Sequence, residues 1–219
     1  EIAARLGTSS HGSFSTRQAH YLCEQAGASI ASGDTGKALS DLREAVAMAP
    51  AAARPLIDLA KLQNQLGRSD DALKTLRKLE ELAPQGLPLA AGLIANIAQV
   101  SGQKTAALEL LKTSYANTPS IDVVEAIVKL EEDPASARQW YARHMERQAS
   151  LVATGKWIEG EQLQDEHHHA LVQRALSQAT KPLMRYRCAA CGFEATQHFW
   201  HCPGCQAWDS YPTRRIEEL

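Results

Sequence analysis

Small and apolar positions recur through the first half of the chain with a fixed period. Ala38, Ala72 and Ala107 stand 34 and 35 residues apart, and so do Leu42, Leu76 and Leu111. The same intervals separate Gly33, Gly67 and Gly102, and again Pro50, Pro84 and Pro119. The repeated phrase reads "SGDTGKALSDLREAVAMAP", "LGRSDDALKTLRKLEELAP" and "SGQKTAALELLKTSYANTP". Each position has a mechanical reason. Glycine permits the left-handed turn between two helices, and the small alanine lets those helices approach. Leucine four residues later lies on the same helical face, and proline stops the helix because it cannot continue the hydrogen-bond ladder. The pattern predicts three helix–turn–helix units between Ala19 and Pro119.

These units resemble the tetratricopeptide repeat. They depart from it where a large aromatic is expected early in the first helix, since Leu22, Leu56 and Ala91 stand there. Beyond Pro119 the pattern weakens. "SIDVVEAIVKLEE" and "PASARQWYARHMERQASLV" read as one more degenerate helix pair, and Ile158 to Ala179 as a long polar helix ending at "TKP". The expected architecture is an all-α repeat superhelix over residues 1–181, degenerate from 120, with a separate module over 182–219. Such stacks curve, and their inner surface comes mainly from the first helix of each repeat. In that register Arg54, Ile57, Lys61, Asn64, Leu89, Asn96 and Gln99 line the groove and are candidate partner contacts.

Composition adds limits. The 219 residues are 44% hydrophobic and 22% charged, with a net charge of −2, as in a globular protein with no surplus for phosphate backbones. No apolar run reaches the length of a membrane span, and no signal peptide opens the chain. The sequence begins at Glu1, in residues that read as helix, so a fragment with an anchor or targeting segment upstream is expected.

The chemistry concentrates at the end. Four of five cysteines form two C-x-x-C pairs, Cys188/Cys191 and Cys202/Cys205, ten residues apart. Six of the twelve aromatic residues lie between Tyr186 and Tyr211. So short a segment cannot bury enough apolar surface to fold unaided, and a metal supplies the staple. Two tight turns, with Gly192 and Pro203-Gly204 as turn residues, aim four thiolates at one point, a set that suits zinc or iron. A nucleic-acid-binding ribbon would want positive charge, yet Arg185, Arg187, Arg214 and Arg215 are balanced by Glu194, Asp209, Glu217 and Glu218. Four protein ligands leave no open position for metal catalysis. Electron transfer and a structural knuckle docked on the repeats are the other readings. His167, His168 and His169 are successive on a helix and cannot converge on one ion; Cys23 reads as a small packed or groove-lining side chain. No catalytic constellation is visible.

The tail "YRCAACGFEATQHFWHCPGCQAW" resembles that of the lipopolysaccharide assembly protein B (LapB) family. The matching residues are Cys188, Cys191-Gly192-Phe193, Trp200-His201-Cys202-Pro203, Cys205 and Ala207-Trp208. "AHYLCEQAGASIASGDTGKAL" is similar to a mid-chain repeat of that family. The resemblance implies a rubredoxin-like module holding iron, with zinc equally compatible with the ligands. It implies a non-enzymatic adaptor at the cytoplasmic side of the bacterial inner membrane, attached through an N-terminal anchor. Its implied partners are the FtsH protease and the LpxC deacetylase, whose degradation the adaptor promotes, together with lipopolysaccharide transport components; a homodimer is compatible. A general co-chaperone or assembly scaffold is the competing reading.

Overall fold

The structure is a computed structural model that describes residues 14–160 and 166–219. The expected helical opening at Glu1 lies outside the described residues. Among the described residues, ten helices follow one another in five antiparallel pairs. The first three are α1 (Phe14–Ala31) with α2 (Thr35–Met48), α3 (Ala53–Gln65) with α4 (Ser69–Leu82), and α5 (Leu87–Ser101) with α6 (Lys104–Asn117). After them come α7 (Ile121–Leu130) with α8 (Pro134–Arg147), and α9 (Leu151–Glu159) with α10 (Glu166–Thr180).

The periodic residues do what their spacing predicts. Gly33, Gly67 and Gly102 have φ of +83°, +74° and +72°, the left-handed conformation that ends the first helix of each pair. Asp34 then caps α2 by accepting from the Lys37 N–H. Ala38, Ala72 and Ala107 are fully buried at the crossing of paired helices, and Leu42, Leu76 and Leu111 fill the layer beneath. Leu56 and Ala91, standing where the repeat pattern has an aromatic, are buried as well.

One expectation needs correction. The polar stretch read as a single helix from Ile158 to Ala179 is broken: α9 closes at Gly160, whose N–H returns to the Trp157 carbonyl, and α10 starts at Glu166. Likewise "PASARQWYARHMERQASLV" holds a boundary, because Ser150 accepts from the Ala153 N–H and begins α9. Among the described residues there is therefore a fifth helix pair. Residues 161–165 and the side chains of His167 and His168 lie outside the described residues; His169 contacts the Ile158 carbonyl oxygen at 3.2 Å.

After α10 the chain leaves the repeats. Two short antiparallel strands, β1 (Tyr186–Arg187) and β2 (Glu194–Ala195), pair Tyr186 with Ala195 and Arg187 with Glu194. A single bridge joins His201 to Trp208. Among the described residues no helix is long and apolar enough to cross a membrane.

Candidate metal centre and its docking surface

The two strand-and-turn units are built alike. In the first, the Gly192 N–H bonds back to the Cys188 carbonyl at 2.8 Å; in the second, the Gln206 N–H bonds to that of Cys202 at 2.9 Å. The residue after each pair takes positive φ, +76° at Gly192 and +58° at Gln206. Pro203 and Gly204 lie in the second turn as the sequence predicts, and the left-handed residue that follows it is Gln206. Gly204 serves closeness instead: a Cβ there would sit 3.3 Å from Phe193 Cδ2 and 3.5 Å from Cys191 Sγ.

The four sulfurs converge. Cys188 Sγ lies 3.8 Å from Cys205 Sγ, Cys191 Sγ lies 3.7 Å from Cys202 Sγ, and all four fall within 4.8 Å of one another. All are free thiols. A tetrahedron with metal–sulfur bonds of about 2.3 Å has edges of about 3.8 Å, so the donor set fits a tetrathiolate metal centre. Cys188 and Cys202 form its buried side, Cys191 and Cys205 its exposed side.

The surroundings favour thiolates on the buried side. Burial opposes ionisation of Cys188, but its hydrogen bond with the Ser210 hydroxyl and those from the Cys191 and Ala190 N–H groups outweigh it and bring the thiol down to about 6. At Cys202 burial is again outweighed, here by the Cys205 and Gly204 N–H groups, and the thiol is lowered. Cys191 goes the other way: it receives the Phe193 N–H, yet burial and the crowding sulfurs of Cys205, Cys188 and Cys202 push it up to about 12. Sulfurs so close need a cation to ionise together. A bound metal supplies that charge and ties the two turns into one unit.

The module does not hang free. It lies along the first helices of the pairs. At α1, His20 Nε2 meets both Asp209 carboxylate oxygens at 2.9 Å, and the His20 ring stacks on Trp208 at 4.8 Å. The His201 ring also stacks on Trp208, at 4.4 Å, and Tyr21 meets its edge. Arg54 of α3 reaches His20 Nδ1 at 3.5 Å and can only donate, so Nε2 carries the hydrogen given to Asp209. Just before α5, the Gln85 carbonyl accepts from the Thr213 hydroxyl. On α5 itself, Leu89 packs on the module's own small core of Tyr186, Cys188, Cys202 and Tyr211.

At α7, Arg215 grips Asp122 with Nη2–Oδ1 at 2.9 Å and Nε–Oδ2 at 3.0 Å, lies over the Tyr186 ring at 4.2 Å, and donates to the Met184 carbonyl. The last two acidic residues then cap two helices. Glu218 accepts from the Ile121 N–H at 2.8 Å at the start of α7, whose own N-cap residue, Ser120, makes no side-chain cap. Glu217 accepts from the Val152 N–H and the Ser150 hydroxyl, both at 2.9 Å, at the start of α9. A carboxylate at a helix N-terminus satisfies orphan N–H groups and the helix dipole. Glu217→Ala and Glu218→Ala should each cost about 1 kcal/mol, lowering Tm by about 2–4 °C. Because the two are successive in one turn, the double variant in thermal melts measures how far the two caps are coupled.

The seven residues proposed for the groove are dispersed by this arrangement. Ile57 is 2% exposed inside the core, so its place on the groove is corrected: it faces between helix layers. Leu89 is half-buried against the module. Arg54 is buried and bonded to Glu24 and Asp58. Asn64 accepts from the Ser69 hydroxyl across the α3–α4 turn. Asn96 accepts from Lys129 Nζ, and Gln99 donates to the Lys129 carbonyl, tying α5 to α7. Lys61 is exposed beside Asp58. Cys23 is 4% exposed, and burial followed by the charge of Asp58 pushes its thiol up to about 12, as expected of a packed rather than reactive group. The sequence reading missed His20, Asp122 and the capping pair Glu217-Glu218. An acidic pair at the extreme C-terminus was their only signal.

His198 is half-buried, its ring 4.5 Å from that of Trp200, and it donates to the Tyr211 carbonyl at 3.2 Å. Burial first of all lowers its imidazole from 6.5 to about 4. Between those values the unfolded chain takes up a proton that the folded chain refuses, so stability is lost as pH falls through this window. The loss should approach about 3 kcal/mol. Urea titrations at stepped pH should show the decline flattened in His198→Phe relative to wild type; equal slopes would refute it.

Comparison with known proteins places these features. Residues 186–211 match the family profile described as Rubredoxin metal binding domain, and residues 29–97 the one described as Tetratricopeptide repeat. The chain is similar to Lipopolysaccharide assembly protein B of Escherichia coli strain K12, at 23% identity over 214 residues covering 92% of this chain and 54% of that one. Proteins of that name from Escherichia coli O157:H7 and O6:H1 match equally. The chain thus spans about half the length of the curated relatives it matches. Among solved structures, MamA 41-end from Desulfovibrio magneticus RS-1 is 15% identical, with a TM-score of 0.46 over 75% of this chain and 97% of that one. A thermophilic TPR protein of Thermus thermophilus is 20% identical, with a TM-score of 0.43 over 75% and 93%.

Proposed function

We propose that this protein is a non-enzymatic adaptor in lipopolysaccharide assembly, acting on the cytoplasmic side of the inner membrane. In this reading it brings the LpxC deacetylase to the FtsH protease and so limits lipopolysaccharide synthesis; contact with transport components would link synthesis to export. The observation that carries the proposal is the similarity to Lipopolysaccharide assembly protein B over 92% of the chain, running through both the repeats and the four-cysteine module. The physical arrangement supports an adaptor. The metal centre has four protein ligands, and the module's contacts along the helix stack make it part of the scaffold. Cys188, Cys191, Cys202 and Cys205 would hold iron or zinc equally well by ligand chemistry.

The exposed sulfurs of Cys191 and Cys205 favour a second reading, electron transfer through an iron centre. Affinity capture from membranes of the source bacterium, read by mass spectrometry, separates the two. Wild-type, zinc-loaded and Cys188→Ser/Cys202→Ser proteins serve as bait. The adaptor reading expects protease and deacetylase with the first two baits and neither with the third. Absence of both from the wild-type capture would overturn it. Capture that depends on iron would favour the redox reading.

A further inference from the structure

A cavity of about 640 Å³ opens where the first repeat meets the docked module. Its volume lies within the range of ligand-binding clefts. One wall is the small-residue loop of residues 49–53 between α2 and α3; the facing wall is Trp200, Tyr211, Pro212 and Arg214 of the module. On the floor, His20 is engaged by Asp209, and Arg54 by Glu24 and Asp58. Those charges are matched. Arg214 is different. Its neighbour Arg215 is fully engaged with Asp122, Met184 and Tyr186. Arg214, by contrast, makes no hydrogen bond or ion pair among the described residues, and its charge reaches Glu218, whose carboxyl burial raises, only through space. The cavity thus combines an alanine-lined wall, two aromatic rings and one guanidinium without an ion-pair partner among the described residues.

We propose that this cavity is a docking site for an extended segment of a partner protein, one acidic side chain pairing with Arg214 and small apolar neighbours lying against the alanine wall. The trough is open to solvent, so the segment passes through it. A guanidinium offers a carboxylate two parallel hydrogen bonds, and alanines leave room for a backbone with short side chains. Half of the site belongs to the module, so it exists only while the module is docked. It stands independently of the pathway the adaptor serves.

The test uses the metal-loaded protein and two capped peptides, acetyl-Ala-Ala-Leu-Glu-Ala-Ala-amide and its Gln counterpart, titrated by NMR and calorimetry. The Glu peptide should move the Trp200 indole signal and the amides of residues 51–53, and bind about tenfold more tightly than the Gln peptide, the effect of one charged hydrogen-bonded pair. Arg214→Ala should erase that preference with metal content and Tm unchanged. Equal binding of the two peptides, a preference that survives Arg214→Ala, or no shift at these residues would overturn the proposal.

Discussion

Cys188→Ser, or removal of the metal by a chelator, will unfold residues 183–219 while leaving the ten described helices largely intact. The module's own core is four side chains, two of them ligand cysteines, far below what a self-sufficient fold requires. A structural tetrathiolate site contributes about 10 kcal/mol or more of apparent binding free energy, and in so small a unit that is folding free energy. Its loss exceeds anything the docking contacts can restore. Far-UV circular dichroism should change little, whereas Trp200 and Trp208 emission should shift red and proteases should cut between Thr180 and Tyr186. Uncovering α1 to α9 also strands Asp122, Ile121 and Val152 without partners, so the helical stack should melt at lower temperature. An apoprotein with native tryptophan emission and protease resistance would show that the module folds without metal.

Arg215→Ala is expected to have the second largest effect, about 3–5 kcal/mol. Arg215 and Asp122 are 18% and 13% exposed, and their bidentate contact is the closest thing to a buried ion pair between module and repeats. Removing the guanidinium leaves the Asp122 carboxylate desolvated and alone. The same change deletes the donor to the Met184 carbonyl and the cation over Tyr186. Most of the cost comes from the stranded charge, so Arg215→Met/Asp122→Leu should recover much of it. Urea unfolding of the two single variants and the double variant gives the coupling directly. A single-variant loss below about 1 kcal/mol, as at a surface pair, would mean that the module is held by its other contacts.

The repeats were legible because their physics is local. Gly33, Gly67 and Gly102 announce themselves through a backbone conformation that other residues resist, and Ala38, Ala72 and Ala107 through a helix crossing that admits only a small side chain. The metal ligands were legible for the same reason, since two C-x-x-C turns put four sulfurs within reach of one ion with little help from elsewhere. Ile57 was misread because face and exposure are separate matters, and Leu89 keeps its place on the inner surface but meets the module there. A residue on the first helix of a repeat can point between layers, or lie beneath a module whose docking no local pattern records.

His20, Asp122, Glu217 and Glu218 belong wholly to the tertiary structure. Their partners are separated along the chain by 189 residues for His20 and Asp209, 93 for Asp122 and Arg215, and 97 for Ile121 and Glu218. By itself the sequence determined a five-cysteine helical-repeat chain with a tetrathiolate knuckle, because period and spacing are set by covalent connectivity and backbone sterics. Only the tertiary structure decided that the knuckle lies along the first helices and that its last two carboxylates cap two of them. Desolvated polar groups accept only partners of matching charge and geometry, and those partners come together when the stack is assembled.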